Sequence, residues 1–144
     1  MDKIFYTIGY KYRVAKTFEV ELVDCPFLFI EKYEKISMPF AYIEKREDNR
    51  CFLICEEYYG WDGATWALDS KNFRRGSAAH DALLEMIGLG LLPADPWKPW
   101  ADKFLIKLCK EDKMWALRRS YVYRAVTRLG NPKGSKPRKI YEAP

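Results

Sequence analysis

The spacing of apolar positions changes character once along this chain, near Gly60. Before that point the runs are short and rich in β-branched and aromatic residues. "KIFYTIGYKYRVAKTFEVEL" alternates in its second half through Phe18, Val20 and Leu22, and "CPFLFIEKYEK", "PFAYIEK" and "CFLICEEYY" continue in the same style. The polar stretch "REDNR" (46–50) joins the last two as a hairpin. The pattern predicts four or five antiparallel strands over about residues 1–58, all paired locally. After Gly60 the period lengthens to that of helices. Ser77 is placed to cap a helix in which Ala82, Leu83, Met86 and Ile87 share a face. Asp95-Pro96 starts a second helix, with a stripe of Trp100, Phe104, Leu105, Leu108 and Cys109. A third carries Trp115, Val122, Ala125, Val126 and Leu129 and stops at Gly130. Strands followed by helices predict an α+β domain over 1–130: antiparallel strands, a seam at 59–77, then a bundle of about three helices from 78 to 130. Residues 131–144 read as a basic, flexible tail with little to bury.

Composition bounds the picture. The chain has 144 residues, 49% of them hydrophobic and 16% aromatic, enough for one folded domain with a core. No segment approaches the roughly 18 apolar residues of a membrane helix, and the start shows no secretory h-region or cleavage site. Cys25, Cys51, Cys55 and Cys109 lack CxxC spacing and read as buried thiols of a reducing cytoplasm. The net charge of +5 is uneven. Nine basic residues lie between Lys113 and Lys139, and all 20 acidic residues lie outside that interval. Such asymmetry points the C-terminal part toward an acidic partner, nucleic acid included.

The candidate chemistry gathers at the seam. Asp62, in "GWDGAT", is either a turn-former or a working carboxylate. His80 is the sole histidine and Asp81 follows it directly. Neighbours on a helix diverge by about 100°, so the two cannot easily share one ligand. Asp102 lies in the first turns of the second helix, where dipole compensation is its ordinary role. A simple hairpin of the two helices sets His80 opposite Leu108, about 9 Å along the axis from Asp102. A shared cluster would then need steeply crossed helices or a third element between them. One imidazole with two or three carboxylates suits Mg²⁺, Mn²⁺ or Zn²⁺ and a metal-activated water; without metal it suits a carboxylate-oriented base. All five tryptophans lie between 61 and 115. They read as core, or, for Trp61, Trp66 and Trp100, as an aromatic wall beside a cleft. No phosphate loop, dinucleotide fingerprint or zinc-finger spacing is present.

Four pieces in order, "GWDGAT" (60–65), "HDALL" (80–84), "ADKFL" (101–105) and "YRAVTRLG" (123–130), resemble a domain-of-unknown-function family common in tailed phages and prophages. The resemblance covers roughly residues 50–130. It implies that Asp62, His80, Asp81 and Asp102 belong together, and that Lys98 supplies a basic residue the family often carries just before its Ala-Asp step. This chain departs from the family pattern at Trp61, where a Thr or Ser is usual, and at Ala67, where a Pro is usual.

Three functions follow as expectations. The first is a phage-encoded accessory protein with a metal-dependent, hydrolase-like site. Asp62, His80 and Asp102 are its metal ligands, Asp81 its base or orienting residue, and Trp61, Trp66, Lys98 and Trp100 its substrate contacts. A cell-wall peptide, a sugar or a nucleotide is the substrate class. The second is a non-catalytic phage protein that binds a host or defence complex or a virion component, with the polar cluster structural. The third is a nucleic-acid-binding module using Arg118, Arg119, Lys133, Lys136, Arg138 and Lys139. The host cytoplasm, or the virion, is the place each implies, without a membrane.

Overall fold

The structure, a computed structural model, describes residues 3–6, 10–26, 35–62, 70–136 and 138–143. It is α+β, as expected: N-terminal antiparallel strands, then three helices. The strands are β1 (Ile4–Tyr6), β2 (Tyr12–Arg13), β3 (Phe18–Glu21), β4 (Lys35–Met38), β5 (Ala41–Lys45), β6 (Cys51–Cys55) and β7 (Gly60–Trp61); the helices are α1 (Lys71–Gly88), α2 (Ala94–Glu111) and α3 (Ala116–Leu129); β8 (Tyr141–Ala143) closes the chain. Seven described strands thus precede the helices, more than the short apolar runs predict.

The main sheet has the order β3-β6-β5-β4, entirely antiparallel. The hairpin around 46–50 forms as the polar run requires: Ala41 pairs with Cys55 and Lys45 with Cys51, and Asn49 takes a left-handed φ of 61° in the turn. Strand β6 is buried along its whole length. One face (Cys51, Leu53, Cys55) joins the core with Val20, Ile43 and Ala41. The other holds Phe52 beneath the guanidinium groups of Arg46 and Arg50, which in turn bind Glu19 and Glu21. The cysteines are free and buried, and burial pushes the thiols of Cys25, Cys55 and Cys109 up to about 12.

Against the inner sheet face lie Ala79, Ala82, Leu83 and Met86 of α1 with Trp97, Ala101, Phe104 and Leu108 of α2. A second cluster, Phe73, Leu105, Cys109, Met114, Val122 and Val126, glues α3 to the back of this pair. Three expectations need correction. Helix α1 begins at Lys71, so Ser77 is an interior residue and Ser70 takes the N-cap place. Gly76 is tolerated there because its missing side chain leaves room for Leu105 and Cys109: a Cβ would come within 2.9 Å of Leu105 Cδ1. Trp115 and Leu129, read as buried, are 85% and 69% exposed, because α3 starts after Trp115 and only Val122, Ala125 and Val126 reach the interior.

The basic C-terminal segment also differs from its reading as a tail. After α3 it turns back over the end of α1. Ser135 donates its main-chain N–H to Leu84 O at 2.9 Å, Arg138 reaches Glu85, and β8 pairs with β1. Two glycines make the close passage possible. Gly134 sits at φ 84°, and a Cβ on Gly88 would lie 1.9 Å from Ser135 O. Gly88→Ala should therefore lift the segment from α1 and cost about 1–3 kcal/mol. Urea unfolding and hydrogen exchange at Ser135 check this; unchanged protection there would show the contact to be dispensable.

Candidate functional site

The residues singled out from sequence divide into two groups on opposite sides of one helix stripe. The first group is a buried clasp. Asp102 accepts a hydrogen bond from His80 Nε2 at 2.7 Å on one carboxylate oxygen and from Lys98 Nζ at 2.5 Å on the other. Lys98 also donates to Val126 O at 3.3 Å, a carbonyl in the last turn of α3 that Gly130 N–H shares. The three side chains are 3–8% exposed. The clasp thus ties α1, α2 and α3 together and sets an ammonium charge at the negative end of the α3 dipole. Gly130 lets the lysine in: a Cβ there would lie 2.9 Å from Nζ.

His80 and Asp102 meet because α1 ends at Gly88 and α2 follows from Ala94, a placement that brings His80 to Asp102 and Gly76 to Leu105. The expected partner of His80, Leu108, lies further toward the other end of the pair. At that end Arg75 of α1 grips Asp112 through two bonds of 3.0 and 2.9 Å.

The second group opens to a cavity of about 260 Å³. Asp81 diverges from His80 as helical geometry demands and lines this cavity with Asp62 and Glu85. Rings of Tyr10, Tyr59 and Trp61 form its walls, and Ser135, Lys136 and Arg138 of the returning segment close one side. Each wall has a local cause. The β2–β7 ladder sets Tyr12 opposite Trp61, whose ring lies 5.3 Å from that of Tyr12, and the Trp61 indole N–H donates to Ser77 Oγ at 3.0 Å. Asp62, one residue beyond β7 and exposed, accepts the Lys11 main-chain N–H at 3.2 Å. Arg138 is spent internally. Its guanidinium holds both Glu85 oxygens at 2.5 and 2.6 Å, donates to Gly60 O at 3.0 Å and lies 4.3 Å over the Tyr10 ring. Tyr59 Oη–H donates to Glu85 at 3.2 Å, and burial keeps its phenol well above the usual range.

Asp81 is the group this environment perturbs most usefully. Removal from water first, then the negative charges of Asp62 and Glu85, push its carboxyl up to about 7; Arg138 and the Asp62 main-chain N–H oppose the shift. The result is a carboxyl acid poised near neutrality beside a second, solvent-facing carboxylate, the arrangement that acid–base catalysis needs.

The metal expectation fares differently. Asp62, His80 and Asp102 do not converge: His80 and Asp102 are sealed against Lys98, whereas Asp62 faces the cavity with Asp81. Among the described residues no three His, Cys, Asp or Glu side chains stand together as a ligand set. Both oxygens of Asp102 are already engaged by nitrogen donors, so the clasp does not fit a metal. Of the expected substrate contacts, Trp61 lines the cavity, Lys98 belongs to the clasp, and Trp100 stacks on Phe104 at 4.8 Å on the core side; Trp66 lies outside the described residues. Of the basic set, Arg119 holds the Met114 carbonyl and Arg138 holds Glu85, so neither is an outward-facing phosphate contact. Tyr10, Tyr59 and Glu85 were not singled out from sequence. Only the odd spacing of a Glu one turn after the His-Asp pair could have marked Glu85.

Two outcomes test this division. Asp102→Asn should cost about 3–5 kcal/mol, because it strands Lys98 in the interior; chemical denaturation reads the loss. The folded carboxyl of Asp81 titrates near 7, above the roughly 3.9 of an unfolded aspartate. The stability it contributes is full below about 4 and is lost as pH rises toward 7. Asp81→Asn should flatten that slope in a pH series of unfolding free energies, and an unchanged slope would remove the carboxyl from the account. No family model matches the chain, and neither a curated protein nor a solved structure matches it.

Proposed function

We propose that this is a phage-encoded accessory protein with a hydrolase-like acid–base site, whose working pair is Asp81 and Asp62. The observation that carries the reading is the Asp81 carboxyl, raised to about 7 on the wall of an open cavity, next to the Asp62 charge. Asp81, protonated below that pH, gives its proton to the leaving group. Asp62, exposed at the mouth, takes a proton from the attacking water. His80, Asp102 and Lys98 are positioning residues: the clasp fixes the turn of α1 from which Asp81 projects. The phage assignment itself rests on the order of the four sequence pieces.

Among cell-wall peptides, sugars and nucleotides, the lining favours a sugar. Tyr10, Tyr59 and Trp61 border the cavity, the carboxylates offer acceptors for hydroxyls, and the strongest cation of the wall, Arg138, is committed to Glu85 and to the faces of Tyr10 and Tyr59. A phosphate-bearing ligand would meet the Asp62 carboxylate as a like charge. A divalent ion remains an addition to be tested at the cavity carboxylates. A second reading, a binding protein without chemistry, draws its support from the clasp alone, since Asp102 is sealed from any substrate at 2% exposure.

The test is turnover of purified peptidoglycan and of its soluble muropeptides, read separately as new reducing ends and new amino groups, across pH 4–9 with and without EDTA. Release of reducing ends, with a rate that declines as pH passes about 7 and is lost in Asp81→Asn, is the expected result. Lys136→Ala at the rim should retain activity. Equal rates for wild type and a folded Asp81→Asn protein would defeat the acid–base assignment, and activity abolished by EDTA and restored by Mn²⁺ would return the metal-dependent form.

A further inference from the structure

Helix α3 presents the reverse of an ordinary surface helix: its outward side carries large apolar rings and guanidinium groups together, and no carboxylate. Leu117 is 85% exposed and Tyr121 55%, and Trp115, just before the helix, is 85% exposed. Leu117, Tyr121, Arg124 and Arg128 are spaced four, three and four residues apart, so they form one stripe opposite the buried Val122, Ala125 and Val126. Arg124 and Arg128 are exposed, as is Tyr123 beside them, while Arg118 and Arg119 are half-buried. Acidic residues do not occur from Lys113 to Tyr141. The two that precede the interval, Glu111 and Asp112, are neutralised by Arg75. The face thus carries net positive charge, and exposed aromatic rings and cations alternate along it.

We infer that the outer face of α3, with Trp115 at its head, binds single-stranded nucleic acid: Arg124 and Arg128 hold phosphates, and the rings of Trp115 and Tyr121 stack on bases. Charge complementarity requires an anionic occupant. The composition of the stripe selects among anionic surfaces. An interfacial membrane helix separates its apolar face from its cations. Here Arg124 and Arg128 share the stripe with Leu117 and Tyr121, so burying the rings in lipid would drag the guanidinium groups with them. Duplex nucleic acid offers phosphates but keeps its bases stacked on one another, which leaves the exposed rings unused. A single strand uses both, since aromatic stacking and a basic track are the two parts of sequence-tolerant single-strand binding. The helix, 14 residues and about 20 Å long, suits a footprint at the small end of the roughly 4–16 nucleotides that single-strand sites cover. This surface is distinct from the Asp62–Asp81 cavity, whose lining contains no residue of α3.

The experiment is fluorescence anisotropy of a labelled ten-nucleotide oligothymidine, with the full chain, titrated at several salt concentrations. A duplex of equal length, phosphatidylglycerol vesicles and poly-glutamate serve as the competing probes. Binding should be tighter for the single strand than for any of the three. The double variant Arg124→Ala, Arg128→Ala should weaken it about tenfold or more and lower the slope of log affinity against log salt by about 1.4, the value for two phosphate contacts on a single strand. Trp115→Ala should weaken it about tenfold with the salt slope unchanged, which a purely electrostatic role would not produce. These side chains are exposed, and unchanged thermal unfolding of each variant checks that the fold is kept. Absence of binding at low salt, duplex or poly-glutamate bound as tightly, vesicles bound in preference, or a Trp115→Ala protein with full affinity would each overturn the assignment.

Discussion

Asp102 is the hinge of the helical half. A carboxylate 2% exposed is tolerable only if its oxygens find donors, and here each oxygen has one, from a different residue. The cost of burying Lys98 is met by the same carboxylate and by the end of α3. The three helices are therefore fixed in register by polar groups as well as by their apolar stripes. A purely apolar α1–α2 seam of alanine and leucine would allow sliding by a turn. A slip of α1 would separate His80 from Asp102, while the Lys98–Asp102 pair, four residues apart on α2, would stay together. The register of α1 against α2 is therefore marked by the His80–Asp102 bond, and that of α3 by the Lys98 bond to Val126 O.

That fixed register is what makes the cavity on the other side meaningful. Asp81 follows His80, so the direction in which Asp81 projects is set by the bond that His80 makes. The strand half contributes Tyr59, Trp61 and Asp62 from the end of the sheet, and the returning C-terminal segment contributes Arg138. Glu85 would repel Asp81 more strongly if it were bare; Arg138 takes both its oxygens and partly offsets that repulsion. The raised pKa of Asp81 is thus an assembly property, drawing on β7, α1 and the final segment together.

The legible parts of the sequence were those whose signal is local. The hairpin at 46–50, the period of α2 and the buried face of α3 follow from residues within a dozen positions of one another. The start of α1 did not, because "SKNFRRG" is polar and contains a glycine, and its only core residue, Phe73, packs against the remote Met114 and Val122 cluster. The pairings of β1 with β8 and β2 with β7 join residues far apart, and no local pattern encodes them. At the site, residue types pointed to the right members and not to their grouping. The one-residue step between His80 and Asp81 was the clue that they serve different places, whereas the helix offset drawn against His80 and Asp102 placed the turn between the helices too late in the chain, since α1 ends at Gly88.

Proximity of polar residues in sequence is therefore a poor guide to a shared site on a helix, and burial decides more than identity does. His80 has the side chain most often given a catalytic role, yet its Nε2 is occupied and it is sealed from solvent. Asp81 has an ordinary side chain in an unusual setting. A buried imidazole already bonded to a carboxylate has little free energy left to change during a reaction, whereas a carboxyl kept near neutrality by its surroundings can exchange its proton with a ligand at little cost. By that criterion the half-open face of α1 is where the proposed chemistry would sit, and its sealed face serves the packing of the helices. The separation also explains how one short motif can serve both, because successive residues of a helix reach different neighbours.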